Sequence, residues 1–330
     1  VTGEAVERLF LCADDLVFSI PLEALPLDAE GTVRLGDKVR ILNEVSLARL
    51  LGAGDEVRGE PSLFALGGVD YDSEGALPEE HVARAAPLVQ AREGDRGGTR
   101  AAQPLAFRAL PETRPEVETA AGLFELAFDS EPTLLVGERT SKAALFEGAK
   151  GKRFVHLATH GWFAPESVES LEDGPLAETG LALVSVEERV TGFAPMTLCG
   201  LALAGANRGV DSLGRVPGIL TAEELCTLDL SQCELAVLSA CETNVGIRRA
   251  GQGIQSLQAA LYAAGARTSI TSLWKVDDAA TRRLMELFYT KLWIEKLPKA
   301  EALWAAKSTL REEGHPPAHW AGWVLTGAPE

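Results

Sequence analysis

The chain has 330 residues, 46% of them hydrophobic and 24% charged, and a formal net charge of −17. This is an ordinary composition for a soluble globular protein, with room for one large α/β domain or two modest ones. The acidic balance argues against non-specific nucleic-acid binding and is compatible with attraction of basic protein segments or simply with solubility; no apolar run is long enough to span a bilayer, and no signal peptide is visible.

The five cysteines, Cys12, Cys199, Cys226, Cys233 and Cys241, are odd in number and show no Cys/His ligand spacing. Neither a disulfide framework nor a metal site is suggested, no cofactor is implied, and a reducing, cytoplasmic setting fits. A start at Val1 rather than Met reads as a fragment of a longer chain.

Residues 1–60 carry short apolar runs, Leu16 to Ile20, Val39 to Leu42 and Leu47 to Leu51, and read as an N-terminal extension containing β-structure. Ser62 to Gly68 predicts a buried strand ending in a glycine turn, and residues 72–104, rich in Gly, Pro, Ala and charge, predict a surface loop. From Pro111 the pattern is regular. Val117, Ala121, Phe124 and Phe128 share one helical face. Thr133 to Val136 is a short strand, and Ser141 is placed to cap a helix over Lys142 to Gly148.

Arg153 to Gly161 is an apolar strand that stops at His160. Residues 162–218 form a long insertion with two similar strands, Gly180 to Leu183 and Gly200 to Leu203. Thr221 and Glu224 have capping-box spacing. Val237 to Thr243 is a second apolar strand, stopping at Cys241. Beyond a glycine-bearing loop, Gly246 to Gly253, come a helix with Ile254, Leu257 and Leu261 on one face, and then a strand over Thr268 to Trp274. A helix capped by Asp277 or Asp278 has the stripe Leu284, Leu287, Phe288 and Leu292. Another carries Leu303, Ala306 and Leu310, and Trp320 to Thr326 closes the chain as a strand. Strands alternating with helices through residues 111–330 predict a mainly parallel sheet with helices on both faces.

Two parallel strands ending side by side would bring His160 and Cys241 together at the carboxyl edge of the sheet, where open α/β sheets bind ligands. An imidazole within reach of a thiol generates the thiolate that acts as nucleophile. Gly161 has no side chain to block a substrate, and its N–H, with that of Cys241, can stabilise an oxyanion. Each residue alone reads first as a satisfied histidine or an inert buried cysteine; the two together, each at a strand end, bring the dyad level with that reading. His156 has the strand parity of His160 and reads as a packed, hydrogen-bonded histidine rather than a second base.

The residues are similar to those of the CHAT domain, a caspase-like peptidase family related to separase and caspases. The resemblance lies in Phe18-Ser-Ile-Pro-Leu-Glu-Ala-Leu25, Leu135-Val-Gly-Glu-Arg-Thr-Ser141, His156-Leu-Ala-Thr-His-Gly161, Leu203-Ala-Gly-Ala-Asn207, Leu238-Ser-Ala-Cys-Glu-Thr243, Ala264-Gly-Ala266, Ser272-Leu-Trp-Lys-Val-Asp-Asp278 and Trp320-Ala-Gly-Trp-Val-Leu325, in order along nearly the whole chain. It implies a caspase-like fold with its peptidase core at residues 61–330, His160 as base and Cys241 as nucleophile of a cysteine endopeptidase. It further implies a protein substrate, an upstream helical-repeat or regulatory domain, activation by a partner or by processing, and a setting in bacterial defence.

In the related separases an acidic residue in the corresponding Leu-Trp stretch and its flank recognises an arginine at the cleavage site. Here Lys275 follows Trp274, which leaves Asp277 and Asp278 for that role, with Trp274 as pocket wall or core and Asp278 alternatively a plain helix cap. The Gly246–Gly253 loop and the 162–218 insertion are the segments expected to be ordered on activation. The competing readings are a catalytically unused interaction module of the same fold and another thiol acyl-transfer enzyme.

Overall fold

Apolar runs without polar alternation predict strands covered on both faces, and three such runs form the middle of one sheet. The computed structural model describes residues 6–13, 17, 20–46, 59–74, 106–163, 196, 199–208, 217–240 and 250–330. Its strands are β1 (Arg8–Leu11), β2 (Arg40–Asn43), β3 (Leu63–Val69), β4 (Thr133–Gly137), β5 (Phe154–Ala158), β6 (Gly161–Phe163), β7 (Cys199–Ala202), β8 (Ile219–Thr221), β9 (Leu235–Ser239), β10 (Thr268–Ser272) and β11 (Trp323–Gly327). Its helices are α1 (Thr113–Phe128), α2 (Lys142–Ala149), α3 (Ala222–Leu225), α4 (Ala250–Ala263), α5 (Asp278–Tyr289), α6 (Lys299–Glu312) and α7 (Pro317–Trp320).

Eight strands lie in the order β1-β2-β11-β10-β9-β5-β3-β4, and β6-β7-β8 make a small antiparallel sheet. Every pairing in the large sheet is parallel except β10 with β11. The seam divides the sheet into a five-stranded block holding β9 and β5 and a three-stranded block that includes β2.

Successive side chains of a strand point to opposite faces, and here each face has its own core. Phe64, Leu66, Val155, Leu157, Ala236 and Leu238 pack on one side with Leu145 and Ala149 of α2 and Leu257 and Leu261 of α4. Leu63, Ala65, Phe154, Ala158, Leu235 and Val237 pack on the other with Val117 and Phe124 of α1, Leu284 and Phe288 of α5 and Leu303 and Leu310 of α6. The expected mainly parallel sheet with helices on both faces is thus present. Phe124 and Phe288 are fully buried, each contributing about 1.5–3 kcal/mol by area.

Local signals read from the sequence set several helix starts. Ser141 Oγ accepts the Ala144 N–H, Thr221 and Glu224 form both halves of a capping box, and Asp277 caps α5 by accepting from Ala280 N. Elsewhere the structure departs from the pattern. The apolar run Leu16–Ile20 lies mostly outside the described residues, while β1 forms earlier, at Arg8–Leu11, on tertiary pairing with β2. The closing strand begins at Trp323, because Pro317 starts a short helix that carries Trp320 into the core. The histidine strand ends at Ala158, and Gly161 already belongs to the small sheet, opposite Leu201.

Helix α1 lies directly on β3 at Gly67, where an added methyl would sit 2.6 Å from the Thr113 carbonyl oxygen and 2.9 Å from Val117 Cγ1. Gly67→Ala should therefore force α1 off the sheet and cost about 2 kcal/mol, read as a lower midpoint in urea unfolding.

Candidate active site

β5 and β9 are neighbours in parallel register, from Phe154 opposite Leu235 to Ala158 opposite Ser239. Thr159 N donates to the Ser239 carbonyl at 3.1 Å and continues the pairing one step further. His160 stands two residues beyond Ala158, and Cys241 follows Ser239 by the same two in sequence. Cys241 itself lies outside the described residues, as do residues 246–249 of the expected Gly246–Gly253 loop, whose second half is instead the first turn of α4, much of the 162–218 insertion and the Gly180–Leu183 strand.

His160 is 4% exposed. Its Nε2 lies 2.7 Å from the Arg108 carbonyl oxygen. A carbonyl only accepts, so Nε2 carries the proton and Nδ1 is the acceptor nitrogen of the neutral ring. The ring packs against Tyr71 and Phe107, with centroids 5.3 and 5.6 Å away, and those two rings also touch each other at 5.8 Å. Tyr71 Oη accepts from the His160 N–H at 3.4 Å and shares a 3.0 Å hydrogen bond with Thr159 Oγ1, which in turn donates to the Ala202 carbonyl.

Asn207 holds both aromatic walls. Its side-chain oxygen accepts from Phe107 N at 2.7 Å, its amide donates to the Phe107 carbonyl at 2.9 Å and to Asp72 at 2.9 Å, and its own N–H donates to the Tyr71 carbonyl. Sequence reasoning named none of Tyr71, Phe107 and Arg108, and Thr159 stood only inside the His156 to Gly161 motif. Asn207 stood in a quoted motif, but its task is visible only once the chain on either side of the 72–104 loop is brought to it.

Gly161 opens β6. Ala202 N donates to the His160 carbonyl at 2.8 Å, so His160 and Ala202 form a hydrogen-bonded pair. The alternation of antiparallel pairs then turns the Gly161 N–H away from β7. On its open side a methyl at Gly161 would lie 3.5 Å from the Ala240 carbonyl oxygen. Gly161 therefore borders the residue just before Cys241.

Parity predicts His156 and His160 on one side of the sheet, and the structure parts them. His156 bonds to Tyr289 of α5 and Glu116 of α1, whereas the His160 ring lies against Tyr71 and Phe107, in the core of the opposite face. The reason is that strand geometry stops at Ala158 and the chain turns there into β6. His156 is the packed, hydrogen-bonded histidine that was expected.

Of the two aspartates, Asp277 is the cap and its carboxylate is engaged by the Ala280 N–H at 3.0 Å. Asp278 is the first residue of α5, half-buried. Burial lifts its carboxyl above the usual range; Lys275 and His160 pull it back, and Asp277 and Glu116 add to the rise. Asp278 therefore lies within electrostatic reach of His160. Trp274 is half-buried, donates from Nε1 to the Ala318 carbonyl at 2.8 Å and closes over Gly322, where a Cβ would meet its ring at 2.7 Å. It packs on the α7–β11 segment.

Among the other thiols, Cys199 and Cys233 are buried. Burial pushes the Cys233 thiol up to about 12 and raises that of Cys226, which keeps both protonated and unreactive at neutral pH. Among the described residues no group of His, Cys, Asp and Glu is arranged to hold a metal ion, and no helix is long and apolar enough to cross a membrane.

A mainly parallel, doubly covered sheet with a histidine held at the carboxyl end of a central strand, next to the end of its neighbour, defines an α/β protein with a site at its strand ends. The chain belongs to the CHAT domain family, whose family model matches residues 1–328. It is similar to tetratricopeptide repeat protein 28 of Mus musculus, 34% identical over 113 residues, and to that of Homo sapiens, 31% identical over 113 residues. Those stretches span 33% of this chain and 4% of each relative.

Among solved structures it is similar to the Arg-specific cysteine proteinase gingipain R, with 10% identity, a TM-score of 0.43 and coverage of 88% of this chain and 55% of the other. A second similarity is to the complex of the pro- and mature domains of Porphyromonas gingivalis RgpB, with 11% identity, a TM-score of 0.47 and coverage of 99% and 66%.

The cap assignment is open to a direct check. Asp277→Ala should cost about 1 kcal/mol in chemical denaturation, whereas Asp278→Asn, which spares the cap, should cost roughly half that or less.

Proposed function

We propose that the chain is a cysteine endopeptidase that cleaves protein substrates through a dyad of His160 and Cys241. The observation that carries this reading is the register of β5 on β9, which runs level to Ala158 and Ser239 and leaves both residues two positions on. Membership of the CHAT domain family supports it.

The Arg108 carbonyl holds the proton on Nε2, so Nδ1 takes the proton of the Cys241 thiol. The thiolate attacks the scissile carbonyl carbon, and the oxyanion that forms is met by the N–H groups of Gly161 and Cys241. The imidazolium then gives its proton to the leaving amine. Water, deprotonated by the same ring, hydrolyses the thioester and regenerates the thiol. A chain named for tetratricopeptide repeats among its relatives supports a helical-repeat unit beside the peptidase in the complete protein. Activation by such a partner or by processing, a cytoplasmic location and a role in bacterial defence belong to the same proposal.

Cys241→Ala and His160→Ala should each lower kcat/KM by at least about 1,000-fold, since a nucleophile and its base act as one unit, with the protein still folded and the melting temperature of His160→Ala lowered by the loss of a buried, hydrogen-bonded ring. An acyloxymethyl ketone probe should label the wild type and not Cys241→Ala. Full turnover by both Cys241→Ala and Cys241→Ser would overturn the mechanism, and a wild type that takes up no probe would favour an interaction module.

For specificity, Asp278 is proposed to receive an Arg or Lys side chain before the cut, with Trp274 nearby in the chain as an apolar alternative that would favour Leu or Met. Asp277 was an equal candidate, but its cap bond leaves Asp278 as the stronger one. A carboxylate pairs bidentately with a guanidinium only when ionised. Because burial raises the Asp278 carboxyl, the preference for Arg should fade on acidification at a higher pH than an ordinary aspartate would give. Cleavage-site profiling by mass spectrometry at two pH values checks this. A Leu-dominated wild-type profile, or one unchanged in Asp278→Asn, would reject the acidic pocket.

A further inference from the structure

Behind the site lies a buried chain of three polar side chains. His156 is 0% exposed, Tyr289 1% and Glu116 2%. His156 Nδ1 is 2.7 Å from Tyr289 Oη, and Nε2 is 2.9 Å from Glu116 Oε1. Burial, with the charge of Glu116 adding to it, holds the Tyr289 hydroxyl protonated far above its ordinary range. With one proton on the ring, the order that satisfies all three groups has Tyr289 O–H donating to Nδ1 and Nε2–H donating to Glu116 Oε1. Taking three such groups out of water is costly unless each is satisfied, and each bond here joins β5 to a different helix.

Those helices also flank the site. The segment leading into α1 supplies the Arg108 carbonyl that holds His160 Nε2, and Thr113 ties that entry to the sheet by accepting from Gly68 N and donating to the Leu110 carbonyl. Helix α5 begins at Asp278, within electrostatic reach of both Glu116 and His160. A closed circuit results. It runs from His156 to Glu116, back along α1 to Arg108, across to His160, and down four residues of chain to His156 again.

We propose that His156, with Glu116 and Tyr289, is a positioning unit for His160: it fixes the Arg108 carbonyl relative to the end of β5 and so keeps the His160 proton on Nε2 and the acceptor on Nδ1. The catalytic consequence rests on the dyad reading above; the positioning itself does not. The alternative is a purely structural tie that stabilises α1 and α5 on the sheet with no effect on the ring.

The deciding protein is the triple variant Glu116→Met, His156→Leu, Tyr289→Phe, which removes all three polar groups together and leaves no buried group unpaired. Two readouts are followed beside the melting temperature. One is the His160 Nε2–H proton resonance, assigned by its loss in His160→Gln. The other is kcat against KM. The expected result is a folded protein whose Nε2–H resonance is shifted or lost through exchange, with kcat down by about 100-fold, the scale of a small misplacement of a catalytic group, and KM little changed. The single variant Glu116→Gln keeps an acceptor for His156 and should retain the resonance.

A folded triple variant with the wild-type resonance and kcat would overturn the proposal, as would Glu116→Gln failing as badly as the triple variant. Should the triple variant not fold, Tyr289→Phe, which deletes one hydroxyl, carries the test, and an unmoved resonance there overturns it. If the wild type turns over no peptide, the peptidase reading fails while the resonance still decides this one.

Discussion

The pairing of β5 with β9 is the constraint on which the rest of the molecule depends. Five consecutive residues of each strand lie in register, all ten buried or nearly so, with alternate side chains committed to two different cores. A slip by one residue would turn every apolar side chain toward the wrong core, so the register is strongly specified. That same register sets the level at which each strand stops. The strand ends are therefore matched by packing far from them, and the polar groups at the edge inherit a geometry they do not have to create.

What they add is orientation. His160 is held at three points: its Nε2 by the Arg108 carbonyl, its backbone N–H by the Tyr71 hydroxyl and its ring against that of Phe107. Asn207 makes the arrangement rigid by bonding to the backbone on both sides of a long connection. A single side chain thus substitutes for a strand pairing, offering a donor and an acceptor to Phe107 as a neighbouring backbone would.

The sheet was largely legible because its signals are local. Apolar runs marked β3, β5 and β9, and the caps at Ser141, Thr221 and Asp277 marked helix starts that the structure retains. His160 was legible because it ends such a run. The supports of His160 were not, since Tyr71, Phe107 and Arg108 flank a variable-looking loop and acquire meaning only through tertiary contact. Parity misled at His156 because a period of two holds only while the strand continues, and this one ends at Ala158. β1 was missed for a related reason: its four residues are mostly exposed and its pairing with β2 is what makes it a strand.

The antiparallel seam between β10 and β11 has a consequence for how the molecule assembles. β2 reaches the rest of the sheet only through β11, with Asn43 bonding to the Leu325 carbonyl across 282 positions of sequence, and β1 reaches it only through β2. Lys307–Glu23 and Arg311–Asp37 bind the same two ends of the chain. During synthesis the five-stranded block can close as its strands emerge, whereas the β1–β2 pair has no place in the large sheet until β11 is made. The β1–β2 pair is thus made before the five-stranded block and docks after it, and a contact closed over so long a stretch of chain is slow to form. Loss of β11 would release it again, which makes that strand the latch of the fold.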